Sequence, residues 1–234
     1  MCKLRAAIAE IGEQMVSCDR MCEGVARMPK KGILPRCLIL EGDGGTAGPG
    51  VIVCGLNPGA GAGAQAKRQR EYYLANGAGY SAEVNFWEIE QKGYPYYEKL
   101  RKLVRALKIT GPILWTDTVK CQKWDKAKRF TQSRFRATVH RCAARHLHRE
   151  LAACPADWIA IGVGRDAFAT LSLLCPGRFV LGVPHCMGQY DAPRNFAGLF
   201  GKHDKDELRR RFVKKFQDAR DEEPAGLLWL SAKG

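Results

Sequence analysis

The sequence predicts an α/β fold: a three-layer α/β/α sandwich around a central, mainly parallel four-stranded sheet. Three observations predict it. Short apolar runs at 51–55, from Ile113, at 158–162 and at 179–183 each stop abruptly at a polar or glycine-containing loop, as buried strands do. Stretches with helical spacing of apolar residues lie between them, and strands separated by helices imply a parallel sheet covered on both faces. The chain of 234 residues, 46% hydrophobic, is long enough for one domain with a substantial core, here preceded by a cysteine-bearing arm over 1–37.

In chain order, residues 3–16 read as a helix that leads into Cys18-Asp19-Arg20-Met21-Cys22. Pro29, Gly32 and Pro35 mark a connector, residues 37–41 a short strand, and Gly42 to Gly50 a turn-rich loop. Val51-Ile52-Val53-Cys54 is the first central strand. Gly59 to Gly63 reads as flexible, and 65–74 as a helix with Lys67, Arg68 and Arg70 on it. Residues 75–95, with Tyr80, Phe86 and Trp87, read as a long polar and aromatic loop, a kind of loop that is usually functional. Leu100, Leu103, Val104 and Leu107 give an amphipathic helix of about 12 residues, which Gly111-Pro112 ends. Phe135, Val139, Cys142 and Leu147 mark another helix, capped near Thr131 or Ser133. A strand over 158–162 is followed by a helix through Leu174, and the strand over 179–183 delivers a histidine loop. Leu208, Phe212 and Phe216 recur every four residues, so 204–219 is the last helix.

Charge narrows the choice of partner. Lys and Arg total 38 against 24 acidic residues, a net charge of +14, which suits a polyanion whose counterions are released on binding. The excess is concentrated between Lys120 and Arg149, where ten basic residues accompany one acidic residue, Asp125, and Trp124, Phe130 and Phe135 interleave. A solvated charged face is the plain alternative. No run approaches the ~18 apolar residues of a membrane span. Residues 1–16 lack the apolar centre of a secretory signal, so a cytoplasmic, nucleoid-associated monomer is expected. Ten cysteines in that setting point to metal or buried thiols rather than disulfides. A P-loop is excluded, because no Gly-x4-Gly-Lys-Ser/Thr occurs.

The strand-end motifs carry the chemistry. Gly55-Leu56-Asn57-Pro58-Gly59 closes the first strand and holds a polar amide where open α/β sheets bind ligands. Thr116-Asp117-Thr118-Val119-Lys120-Cys121 closes the second, and Val183-Pro184-His185-Cys186-Met187-Gly188 closes the last. In this order over roughly residues 15–200, these motifs resemble the uracil-DNA glycosylase superfamily, especially its iron–sulfur branches. The first loop is closer to that of the mismatch-specific and thymine-DNA glycosylases. The chain departs from the pattern at Asp117, where the family has Asn, and at Cys186-Met187, where it has Pro-Ser.

The resemblance implies hydrolysis of the N-glycosidic bond of uracil, or a related deaminated base, in DNA. Asn57 would position the water, and Leu56 would lie against the base. His185 would donate to the departing base oxygen, and Tyr96, or its neighbour Tyr97, would stack on the extruded base. Asp117 stands where an Asn reads uracil; a protonated carboxyl can match both edge groups, whereas an ionised one favours the amino group of cytosine. Lys120, Lys123, Lys126, Lys128 and Arg129 would contact DNA, with Met187 and Tyr190 as candidates for the wedge that enters the vacated stack. Cys18, Cys22, Cys121 and Cys142 would hold a [4Fe–4S] cluster, with Cys37 in reserve; zinc or reduced thiols are the alternatives. Cys18 and Cys22 are spaced more loosely than the Cys-x2-Cys usual in that branch. Two other functions remain open: a non-catalytic binder of damaged or abasic DNA on the same fold, and a metal-bearing RNA-binding module.

Overall fold

Strand β3 (Val51–Gly55) shows why the apolar runs become sheet. Its side chains alternate between two faces, and both faces are covered, so all five residues are buried and every position is hydrophobic or Gly. It pairs in parallel with β6 (Ile159–Val163), Val51 opposite Ile159, and β6 pairs in parallel with β7 (Val180–Val183), Ala160 opposite Val180. With β2 (Leu38–Glu41), β4 (Ile113–Asp117) and β8 (Leu227–Trp229), the main sheet runs β2–β4–β3–β6–β7–β8. A second sheet has two short antiparallel strands, β1 (Val25–Ala26) and β5 (Gln122–Lys123). The computed structural model describes residues 2–36, 38–42, 48–58, 64–123, 132–186 and 206–230.

The mixed α/β class and the mainly parallel sheet are as expected, but the sheet has six strands rather than four. Strand β2 matches the short strand expected near 37–41. Strand β8 was not foreseen, because Leu227-Leu228-Trp229 is too short to show a period; it is fixed by parallel pairing to β7, Val180 opposite Leu227. The long loop expected at 75–95 is overturned. Residues 80–89 form helix α3 (Tyr80–Ile89), followed by a 3₁₀ turn at Gln91–Gly93. Tyr80, Ala82, Glu83, Phe86 and Trp87 are its buried positions, and the 80, 83, 86 and 87 set has a helical spacing that the polar residues between them obscured.

By contact the chain forms two compact units, Met1–Leu40 with Leu56–Gln91 and Trp115–Cys154, and Glu41–Gly55 with Lys92–Leu114 and Pro155–Gly234. In the first unit, α1 (Cys2–Val16) buries Ile8, Ile11 and Met15. Gly12 has no side chain because the Tyr80 ring lies where a Cβ would stand, only 2.3 Å away. Helix α2 (Ala64–Asn76) packs Tyr72 and Tyr73 edgewise or tilted on Phe86, and Trp87 meets Trp115 at 5.9 Å. Helix α5 (Gln132–Cys142) continues through a π turn at Ala143–Leu147 into α6 (His148–Ala153). Ser133 therefore lies inside α5 rather than capping it, and Thr131 is outside the described residues.

In the second unit, α4 (Pro95–Ala106) starts on a proline whose fixed φ suits the first helical turn. It buries Leu100, Leu103 and Val104, and Arg101 bridges both carboxylate oxygens of Glu41, at 2.7 and 2.9 Å. Helix α7 (Arg165–Leu174) lays Phe168 on the sheet at Gly182, where a Cβ would meet both Phe168 and Trp229. Helix α8 (Asp206–Glu222) turns Phe212 and Phe216 inward, Phe216 standing edge-on to Phe179 at 5.6 Å. No helix among the described residues is long and apolar enough to cross a membrane.

Candidate active site and cysteine cavity

Two strand-end loops of the first unit are joined by their main chains. The Val119 N–H donates to the Leu56 carbonyl at 2.9 Å, so the loop carrying Asn57 and the loop carrying Asp117 are neighbours. Asn57 is half-buried, and its amide nitrogen donates to the Pro58 carbonyl at 2.8 Å. That bond orients the side chain and leaves Oδ1 without a protein donor among the described residues. A water donating to Oδ1 would keep a lone pair for an electrophilic carbon. Asp117 ends β4 and is 8% exposed, with Thr118 and Val119 more deeply buried beside it.

In the second unit, the loop after β7 meets the start of α4. The rings of His185 and Tyr96 lie 5.8 Å apart, inclined at 39°, and Tyr97 stands edge-on to Tyr96 at 5.1 Å. Cys186, where the resembled pattern has Pro, is buried; its thiol faces the Tyr96 carbonyl at 3.9 Å, and the Lys99 ammonium donates to the Cys186 carbonyl at 3.4 Å. Burial pushes the Cys186 thiol up to about 12, so it acts as a neutral packing group. His185 keeps an exposed edge, yet the protein around its ring disfavours the imidazolium and lowers its pKa below the usual value. Burial thus favours the uncharged imidazole at His185.

Four cysteines of the first unit, from three segments of the chain, line one cavity of about 340 Å³: Cys18 and Cys22, Cys121, and Cys142. Three local bonds assemble it. Strand β1, just after Cys22, pairs with β5, just after Cys121, Ala26 opposite Gln122. The Thr138 hydroxyl of α5 donates to the Glu23 carbonyl at 2.8 Å, tying the Cys142 helix to the same arm. The Lys120 N–H donates to the Cys142 sulfur at 3.3 Å. Burial first, and then the sulfurs of Cys142, Cys18 and Cys22, push the Cys121 thiol up to about 12, so a thiolate there is unfavourable without a cation beside it. As the side chains stand, no group of three or more His, Cys, Asp or Glu among the described residues is close enough to hold a metal ion. The donor set of four thiols at one cavity nevertheless fits a soft metal or an iron–sulfur group.

A sequence model of the Uracil DNA glycosylase superfamily matches residues 42–216. The chain belongs to the uracil-DNA glycosylase superfamily. No curated protein and no solved structure matches it. Membership supports DNA glycosylase activity, base-excision repair and DNA as the partner.

Within this superfamily fold, one expected DNA contact is corrected. Lys120 is 1% exposed and ion-paired to Glu150 at 2.7 Å, so it cannot reach a phosphate. Lys123 lies on β5. Lys126, Lys128, Arg129, Met187, Tyr190 and Cys37 lie outside the described residues, as do Gly59 to Gly63. Exposed cations that are described include Arg20, Arg136, Arg141, Arg145 and Arg149, and Arg20, Arg141 and Arg145 also line the cysteine cavity. Cys54, Cys154 and Cys175 are buried thiols away from that cavity.

Sequence reasoning missed His146 and Glu150. His146 lines the cysteine cavity as a neutral imidazole, its pKa lowered to about 4 first by burial and then by the charges of Lys120, Arg145 and Arg149. Glu150 is fully buried. Its signal was its position: it is the first acidic residue after Asp125, at the end of a basic run, where a carboxylate serves as a counter-ion.

Proposed function

We propose that this superfamily member is a monofunctional glycosylase that hydrolyses the N-glycosidic bond of uracil in DNA and leaves an abasic site. The observation that carries the reading is the main-chain bond joining the Leu56–Asn57 loop to the Asp117–Lys120 loop; Asn57 is read as the water-positioning amide and Asp117 as the reader of the base edge. Asn57 is no proton acceptor at neutral pH. That suits a bond that breaks largely before the water attacks, where orientation matters more than activation. Tyr96 offers a ring for stacking, and neutral His185 offers an N–H to the oxygen of the departing base. Asp117 reads the uracil edge as a protonated carboxyl. Phosphates are held by the exposed arginines of α5 and the π turn.

The same reading assigns Cys18, Cys22, Cys121 and Cys142 to a [4Fe–4S] cluster, whose contribution is structural: it would tie the amino-terminal arm to the basic helix. Zinc on the same thiols is the competing occupant. The deciding experiment incubates the protein with a uracil-containing oligonucleotide and cleaves abasic sites with alkali. Strand cleavage at uracil supports the reading. Tight binding with no cleavage would identify a damage-binding protein on the same fold instead.

A further inference from the structure

Lys120 and Glu150 form a buried ionic network that the proposed chemistry leaves unused. The Lys120 ammonium donates to Thr116 Oγ1 at 2.6 Å, to the main-chain carbonyl of Asp117 at 2.6 Å and to Glu150 Oε2 at 2.7 Å. The Thr116 hydroxyl donates to the same Glu150 oxygen at 2.6 Å. Three acceptors thus meet the three donors of the ammonium, and its direction is fixed. Stability is a poor reason for such a pair. Taking both charges out of water is costly, and well-packed apolar residues of similar volume are often as stable or more so.

One thing the pair does cannot be done by apolar replacements. It grips the carbonyl of Asp117, and so fixes the peptide plane between Asp117 and Thr118. One residue further on, Val119 makes the bond to Leu56 that carries the Asn57 loop. Both candidate site loops therefore hang from the end of one lysine side chain. Glu150 holds that lysine from α6, and the Lys120 N–H ties the same point to Cys142.

We propose that Lys120, clamped by Glu150 and Thr116, is a positioning residue that sets the direction of Asp117 and through it the base edge the site accepts. This rests on the glycosylase reading above. It also gives the lysine of the Val119-Lys120-Cys121 motif an interior role in place of a phosphate contact.

The test uses the full chain and three variants. Lys120→Met strands the Glu150 carboxylate and should lower the thermal midpoint. Lys120→Met/Glu150→Leu removes both charges and should recover most of that midpoint. Thr116→Val removes one acceptor with little change of shape and covers the case in which the double variant does not fold. Each is measured for single-turnover uracil excision, for affinity to an oligonucleotide carrying a stable abasic analogue, and for amide exchange. In the double variant we expect excision to fall at least thirtyfold while affinity stays within threefold. Exchange at Thr118 and Val119 should quicken at least tenfold, with Leu114 unchanged. Thr116→Val should show the same pattern at about threefold. A folded double variant, or Thr116→Val, with wild-type excision and wild-type exchange would overturn the proposal. If wild type excises no uracil, the functional reading fails, and the exchange measurements still decide whether Lys120 anchors the loop.

Discussion

The two units each present a strand-end site, and they are held in different ways. The loops of Asn57 and Asp117 are joined main chain to main chain and anchored by a buried lysine with three acceptors at 2.6–2.7 Å. The loop of His185 is fastened by a 3.4 Å lysine bond and a 3.9 Å thiol contact, and its imidazole keeps an exposed edge. Short charge-assisted bonds away from water are stronger than long ones at the surface. The first arrangement suits groups that must be in place before the substrate arrives, such as a reader of the base edge and a water holder. The second suits a donor that must adjust as charge develops on a leaving group.

The largest effect should come from removing ligands of the proposed cluster. Purified protein should be brown, with broad absorption near ~400 nm and nearly equal iron and sulfide. Cys121→Ser or Cys142→Ser should abolish the colour and most of the soluble yield, because metal binding is coupled to folding. A colourless, active protein carrying one zinc would replace the cluster by a zinc site.

Next comes the looser site. His185→Ala should slow single-turnover excision by about a hundredfold to a thousandfold, the range for losing one donor at a developing oxyanion, with DNA affinity little changed. By NMR the His185 ring should titrate below its ordinary value of about 6.5. The sign follows: between the folded and unfolded pKa values the unfolded chain binds the extra proton, so stability falls as pH drops through that window. His185→Asn should remove that part of the acid sensitivity. A midpoint above 6.5 would show an imidazolium at the site and invert the assignment.

The smallest effect tests the reader. Asp117→Asn supplies both edge groups without a proton, so uracil excision should be kept or raised, and the advantage over wild type should grow as pH rises. Identical pH profiles, or cytosine release by wild type exceeding uracil release, would remove Asp117 from uracil reading.

The first site was the more legible in sequence. Its Asn57 loop announced itself through the four apolar residues in a row before Gly55, and its cysteines through their number. Bonds distant in sequence were not legible. Nothing local shows that Lys120 turns inward, since the ten basic residues from Lys120 to Arg149 read as one surface until Glu150, 30 positions on, is brought to its ammonium. Helix α3 was hidden because its buried face includes Glu83, which breaks the apolar pattern, and β8 because pairing with β7, not composition, makes it a strand. Cys186 read as a departure from a family loop; its burial shows a thiol packed where that loop turns.

Asn57 offers the most direct test of the central claim that the joined loops of the first unit perform hydrolysis. Single-turnover excision of uracil by Asn57→Ala should fall at least tenfold, about 1.4 kcal/mol of transition-state stabilisation. Affinity for the same DNA should be retained, because phosphates are gripped elsewhere. A folded Asn57→Ala protein that removes uracil at the wild-type rate would contradict the account.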